Sequence, residues 1–115
     1  MQYMLRLYAD ESAIQSATEA QTAEVMAAYG AYGEALRKAG VVVSFNRLKF
    51  TATATTVRLA NGKSEVLNGP YAETREQLGG YYLIDVADLD AALAWAVRCP
   101  GASQGSVEVR PIWAM

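Results

Sequence analysis

The segment from Asn68 to Ile84 reads NGPYAETREQLGGYYLI, and it holds the clearest fold signals in this chain of 115 residues. A polar turn at Asn68–Pro70 leads through a charged stretch and the pair Gly79–Gly80 into an apolar, aromatic run. Short apolar runs bounded by turn residues are typical of strands. We therefore expect a strand over Tyr81–Val86. The polar residues at its entrance are placed where binding sites commonly form.

Patterns before this segment predict a strand, a helix and a second strand. Residues 2–8 alternate between apolar and polar types, which predicts the first strand. Apolar residues recur at helical spacing over residues 22–39, and Gly40 then suits a left-handed cap that ends the helix. The β-branched run Val41–Phe45 begins the next strand directly after that cap.

A hairpin and a second helix complete the predicted elements. Asn61–Gly62 is the strongest turn signal in the chain, and it joins predicted strands over residues 51–59 and 64–67. Asp88 is a good N-cap for a second helix. Alternation over residues 106–113 then predicts the last strand.

The order strand, helix, strands, helix, strand predicts one α+β domain over residues 1–115. It is the ferredoxin-like plan (βαββαβ) with an added hairpin. Two helices can cover only one face of such a sheet. Val41–Val43 and Tyr81–Ile84 are apolar on both alternating sides, so the other face would expose an apolar patch. We therefore expect a homodimer packed sheet to sheet.

The composition argues against several classes of function. Ten basic and 12 acidic side chains give a net charge of -2, without the clustered basic residues that nucleic acid requires. No apolar run is long enough to span a bilayer, and residues 1–8 lack the pattern of a signal peptide. We expect a soluble cytoplasmic protein with no membrane or nucleic-acid partner. The chain has no histidine, and Cys99 is its single cysteine, so no metal site and no cofactor is predicted.

Several stretches resemble the YCII-related proteins, in the branch named for its Asp-Gly-Pro-Phe (DGPF) motif. They are Tyr3–Leu5 with Tyr8, Ala52–Arg58, Gly69–Tyr82 and Gly105–Pro111. The resemblance covers nearly the whole chain. It implies a ferredoxin-like fold assembled as a dimeric α+β barrel, in agreement with the argument from the uncovered face.

The resemblance also implies where a site would lie. Related domains act on small, often aromatic or lactone-like molecules, a His/Asp pair has been proposed as catalytic in YCII proteins, and many members of the branch occur beside alternative sigma factors. This chain has Asn68 where the motif has Asp, Gln104 where relatives often carry His, and Tyr71 where the motif has Phe. An amide cannot carry a proton at neutral pH, so the site keeps its polarity without these acid–base groups.

We predict a pocket near residues 68–82. Its candidate lining residues are Asn68, Tyr71, Glu73, Tyr82, Gln104 and Arg110, and Glu73 and Tyr71 are the candidate catalytic residues. Glu73 and Glu76 would share a face if they lie on one helical turn, although a solvated turn with local ion pairing explains them as well. Asn68 fits a simple turn as well as a site. Arg110 could hold a carboxylate or pair with Glu108 on the same side of the last strand.

Three functions remain open from the sequence. The first is a small-molecule binding or sensory homodimer, linked to sigma-factor regulation. The second is a weak lyase or isomerase that acts on a small aromatic or lactone-like substrate with Glu73 or Tyr71 as acid/base. The third is a purely structural partner dimer, which would have no pocket for a ligand.

Overall fold

The computed structural model describes residues 1–114. Its elements in chain order are β1 (Gln2–Ala9), α1 (Glu11–Gln15), α2 (Glu19–Ala39), β2 (Val42–Arg47), a 3-10 turn (Thr51–Thr53), β3 (Thr55–Ala60), β4 (Lys63–Asn68), β5 (Gln77–Asp85), α3 (Leu89–Arg98), α4 (Gly101–Gln104) and β6 (Ser106–Pro111). Helices and antiparallel strands alternate along the chain, so the prediction of an α+β fold is confirmed. Among the described residues, no helix has the length and apolar character needed to cross a membrane.

Helix ends follow from the side chains at their caps. The Thr18 hydroxyl accepts a hydrogen bond from the Gln21 amide at 3.1 Å, and the Gln21 side chain accepts one from the Thr18 amide at 2.9 Å. This reciprocal capping box starts α2. The helix ends at Gly40, which has the expected left-handed conformation (φ 71°). Asp88 caps α3 by accepting from the Ala91 amide at 2.9 Å, as predicted.

The main sheet has the strand order β2-β5-β1-β6, and β3 pairs only with β4 in a separate hairpin. β1 and β5 are the two central strands of the main sheet, with Tyr3 opposite Ile84 and Leu5 opposite Tyr82. These side chains lie on the face that α2 and α3 cover. The buried core consists of Tyr3, Leu5, Tyr32, Leu36, Tyr82, Ile84, Val86, Ala92, Ala96 and Cys99.

The turn that the sequence predicts at Asn61–Gly62 is confirmed. Asn61 (φ 52°) and Gly62 (φ 76°) both lie in the left-handed region, which is the geometry of a type I′ turn.

Several boundaries differ from the sequence prediction, and the short helices α1 and α4 were not predicted. Residues 51–53 form a 3-10 turn because the Glu11 carboxylate accepts hydrogen bonds from the Thr51 amide (2.8 Å) and hydroxyl (2.7 Å), which holds the chain out of a strand. β5 starts at Gln77, before the glycine pair, because β1 pairs with it as far as Tyr8 opposite Leu78 and Ala9 opposite Gln77. β6 ends at Pro111, ahead of the predicted residue 113.

The helical turn expected around residues 73–76 is wrong: residues 69–76 form bends and irregular backbone between two strands. Glu73 and Glu76 therefore do not share a helix face.

Tyrosine side chains and one thiol occupy the centre of the helix–sheet contact. The ring of Tyr82 lies edge-on to Tyr32, with ring centres 5.3 Å apart, and the Tyr32 hydroxyl donates to the Trp95 carbonyl at 2.8 Å. Loss of hydration on burial is the main cause that raises the pKa of Tyr29, Tyr32 and Tyr82, and burial also raises the pKa of the Cys99 thiol.

The glycine at the start of β6 permits a close crossing of two chain segments. A Cβ atom at Gly105 would lie 2.1 Å from the Tyr8 carbonyl oxygen. We predict that Gly105→Ala lowers the free energy of unfolding by about 1–3 kcal/mol, because the strands must separate to admit the methyl group. The control is Gly30→Ala in α2, where nothing lies within 4 Å of the added carbon. This change should stabilise the helix by about 1 kcal/mol.

Urea unfolding of both variants checks this prediction. An unchanged stability for Gly105→Ala would contradict it.

The buried phenols also predict how stability depends on pH. Below their ordinary pKa of 10.0 they are protonated in both the folded and unfolded chains, so stability is complete. Above that pH the unfolded chain loses these protons first, and the free energy of unfolding must fall as pH rises. Tyr29→Phe removes one such group, so we expect a shallower decline than in the wild type.

Urea titrations at a series of pH values from neutral to strongly alkaline measure this slope. Tyr71→Phe, at an exposed position, is the control and should follow the wild type. Identical slopes for Tyr29→Phe and the wild type would rule out a contribution from Tyr29.

Candidate functional site

The face of the main sheet that carries no helix contains an open depression of about 490 Å³. Its lining residues are Met4, Arg6, Leu78, Tyr81, Arg110 and Pro111. Strand alternation explains how they meet, because Met4 and Arg6 point away from their buried neighbours Tyr3 and Leu5 on β1. The depression is therefore the reverse side of the same strands that form the core.

The depression has more positive than negative charge. The Glu108 carboxylate lies 3.2 Å from the Arg6 guanidinium and 3.8 Å from that of Arg110. The predicted pairing of Glu108 with Arg110 is thus confirmed, and Arg6 shares the same oxygen. One carboxylate cannot neutralise two guanidinium groups, and the Arg110 side chain is largely exposed. An anion in the depression would therefore find an available planar donor group.

Tyr81 supplies an aromatic wall on this face. Its hydroxyl accepts a hydrogen bond from the Asn46 side-chain amide at 2.9 Å, which links β5 to the edge strand β2. Tyr82 points to the opposite side, where only 7% of it is exposed, and Phe45 stacks on it with ring centres 5.5 Å apart. Tyr82 is therefore a core residue in this chain, and Tyr81 has the position on the open face.

Three predicted site residues, Asn68, Tyr71 and Glu73, lie at the end of β4 or in the segment after it and do not line the depression. Asn68 ends β4 opposite Thr55, and the next residue, Gly69 (φ 113°), donates its amide to the Ala54 carbonyl at 2.7 Å. Tyr71 is 78% exposed, and the Arg58 guanidinium lies 5.6 Å from its ring centre. Glu73 is also exposed. The turn interpretation of Asn68 fits this geometry well.

A separate set of hydrogen bonds joins the ends of β1, β5 and β6. The Ser106 hydroxyl donates to the Glu76 carboxylate at 2.8 Å, and the Gln77 side chain accepts from the Glu11 amide at 2.9 Å. Gln104 ends α4 just before this junction, with an exposed side chain. Glu76 thus fixes the entrance to β5, which the sequence pattern did not indicate.

Of the six predicted residues, Arg110 lines the depression within residues 1–114, and the other five lie elsewhere. Sequence reasoning missed Arg6 and Tyr81. A signal for Arg6 was present, because a charged residue alternating with buried ones in a central strand must face the side without helices.

Comparisons with known proteins agree with this fold. A solved structure of 5-chloro-2-hydroxyhydroquinone dehydrochlorinase (TftG) from Burkholderia phenoliruptrix AC1100, in complex with 2,5-dihydroxybenzoquinone, is similar with a TM-score of 0.57. The match covers 98% of this chain and 94% of that chain at 12% identity, and it shows a shared fold.

Sequence similarity extends over the same length. An uncharacterized protein of Rhizobium meliloti (strain 1021) is 40% identical over 114 residues, which cover 97% of this chain and 92% of that protein. The YCII-related domain matches residues 1–115. The chain therefore belongs to the YCII-related domain family.

Proposed function

We propose that this protein is a homodimer that binds a small, planar anion on the helix-free face of its sheet, in the depression that the partner would enclose. The observation that carries the proposal is the depression in which Arg6, Arg110 and Tyr81 converge among aliphatic side chains. Its volume of about 490 Å³ lies within the range of about 300–1,000 Å³ that is usual for small-molecule sites.

The lining residues define the chemistry of the ligand. A guanidinium offers two parallel donors that match a carboxylate or a pair of adjacent ring oxygens. The Tyr81 ring and the side chains of Met4 and Leu78 form apolar walls suited to an aromatic ring. An aromatic acid or a hydroxyquinone satisfies both requirements. Leu78 and Tyr81 lie within residues 68–82, where the sequence predicts the pocket.

Fold and assembly are part of the same proposal. The order β2-β5-β1-β6 with α2 and α3 on one face supports a ferredoxin-like topology. The half-buried Met4, Tyr81 and Leu83 on the other face support a partner that covers it. The run Gly69–Arg75 supports the DGPF branch. A cytoplasmic location and a link to sigma-factor regulation stay predictions of the sequence.

Calorimetric titration with 2,5-dihydroxybenzoquinone tests the binding proposal. We expect saturable binding by the wild type and at least about tenfold weaker binding by Arg110→Gln, because the planar donor pair is lost. Arg98→Gln is the matched control, since Arg98 lies on α3 over the Trp95 ring, away from the depression. Equal affinities of the Arg110→Gln and wild-type proteins would contradict this site.

Catalysis is a second candidate function. The structurally similar dehydrochlorinase is an enzyme, and its ligand is an oxygenated six-membered ring of the class that fits this depression. In this alternative the protein is a weak lyase or isomerase with Glu73 or Tyr71 as acid/base. Both residues are exposed in the segment after β4, so a substrate would have to reach them there.

Turnover of 5-chloro-2-hydroxyhydroquinone separates the two functions. The binding proposal predicts negligible turnover by the wild type, because within residues 1–114 no carboxylate or imidazole lines the depression. Robust wild-type turnover that falls at least about a hundredfold in Glu73→Gln would instead establish the enzyme. Glu65→Gln, on the hairpin strand β4, is the control for the loss of an exposed carboxylate.

A further inference from the structure

The β3–β4 hairpin makes few contacts with the other helices and strands of its chain. None of its strand residues is buried, and within residues 1–114 neither strand makes extensive contact with another helix or strand. An isolated two-stranded hairpin is only marginally stable in water. The hairpin therefore needs a surface to pack against.

The two faces of the hairpin differ in character. One face carries Val57 (63% exposed), Leu59 (73%) and Val66 (62%) with uncharged polar neighbours. The opposite face carries the cross-strand pair Arg58 and Glu65, together with Lys63 and Leu67. We call the first face the apolar face. Its exposed aliphatic side chains would be more stable if another surface covered them. It contains no charge, so another uncharged surface could cover it without burying an unpaired ion.

The shape of the chain shows that the hairpin projects outward. The radius of gyration is 16.1 Å, against about 13 Å for a compact domain of this size. The principal extents are 48 × 43 × 18 Å, which describe a thin slab. Since neither hairpin strand makes extensive contact with another element, the hairpin does not fold back over the main sheet of this thin slab. Within residues 1–114 nothing covers its exposed apolar side chains.

The areas favour a second copy of this chain. The open face of the four-stranded sheet measures roughly 25 × 20 Å and one face of the hairpin roughly 20 × 10 Å, from standard strand spacings. Together they give about 700 Å², close to the ~800 Å² per partner of stable complexes, whereas either surface alone is too small.

We propose that the apolar face of the β3–β4 hairpin packs on a second copy of this chain and supplies part of the dimer interface. This rests on the homodimer of the proposed function, and it adds the specific surface. In a two-fold symmetric dimer, the β3–β4 hairpin of each copy would then pack on the other copy.

Two adjacent positions on β4 provide a matched test. Val66 and Leu67 are exposed to similar extents, 62% and 51%, but point to opposite faces of the hairpin. Sedimentation equilibrium should show a wild-type dimer, a dissociation constant raised at least about tenfold by Val66→Lys, and one within about twofold of the wild type for Leu67→Lys. A lysine on the apolar face would be buried without a partner, whereas on the charged face it remains hydrated.

These measurements separate the proposal of a homodimer from the proposal that the hairpin forms part of its interface. A wild-type monomer up to about 100 μM would overturn both the homodimer and this interface. A wild-type dimer that Val66→Lys leaves intact, or that both variants weaken equally, would overturn the interface alone.

Amide hydrogen exchange of the wild type gives an independent measurement. Protection of the β3 and β4 amides should rise with protein concentration, and concentration-independent protection would count against the proposal.

Discussion

Leu5 and Ile84 on the sheet meet Leu36 and Ala92 on the helices in one fully buried cluster, and this contact removes a single face of the sheet from water. The opposite face of the sheet has no helix, because both helices lie on the same side. This asymmetry explains the two features that follow. The reverse side of β1 and β5 can carry charged and aromatic groups at no cost to the core. The β3–β4 hairpin packs on neither face of the main sheet.

Much of this architecture could be predicted because its signals are local. Gly40 ends a helix through its own backbone freedom, Asp88 starts one through a hydrogen bond three residues away, and Asn61–Gly62 turns the chain within a hairpin. The prediction that one face of the sheet is not covered by helices also needs only the number of helices and strands. Such features depend on few residues, so a sequence shows them directly.

The site was harder to predict because it depends on contacts between distant residues. Alternation shows that Tyr81 and Tyr82 face opposite ways, but not which of them meets Tyr32. A bulge in the β1–β5 pairing between Leu7 and Tyr8 changes the register next to the site. The carboxylate of Glu76 is held by a hydroxyl thirty residues away, so no local pattern could reveal that it is structural.

The close crossing at Gly105 bears on what the shared motifs of this family mean. A side chain there would collide with the Tyr8 carbonyl oxygen, and one at Gly80 would lie 2.8 Å from that of Asn46. Either collision would cost stability whatever ligand the protein binds, because it lies in the backbone of the fold and not in a binding site. The glycines at these two positions therefore reflect the packing of the chain and carry no information about its ligand. Arg6, Tyr81 and Arg110 differ from them, because these side chains line the depression and do not form the core.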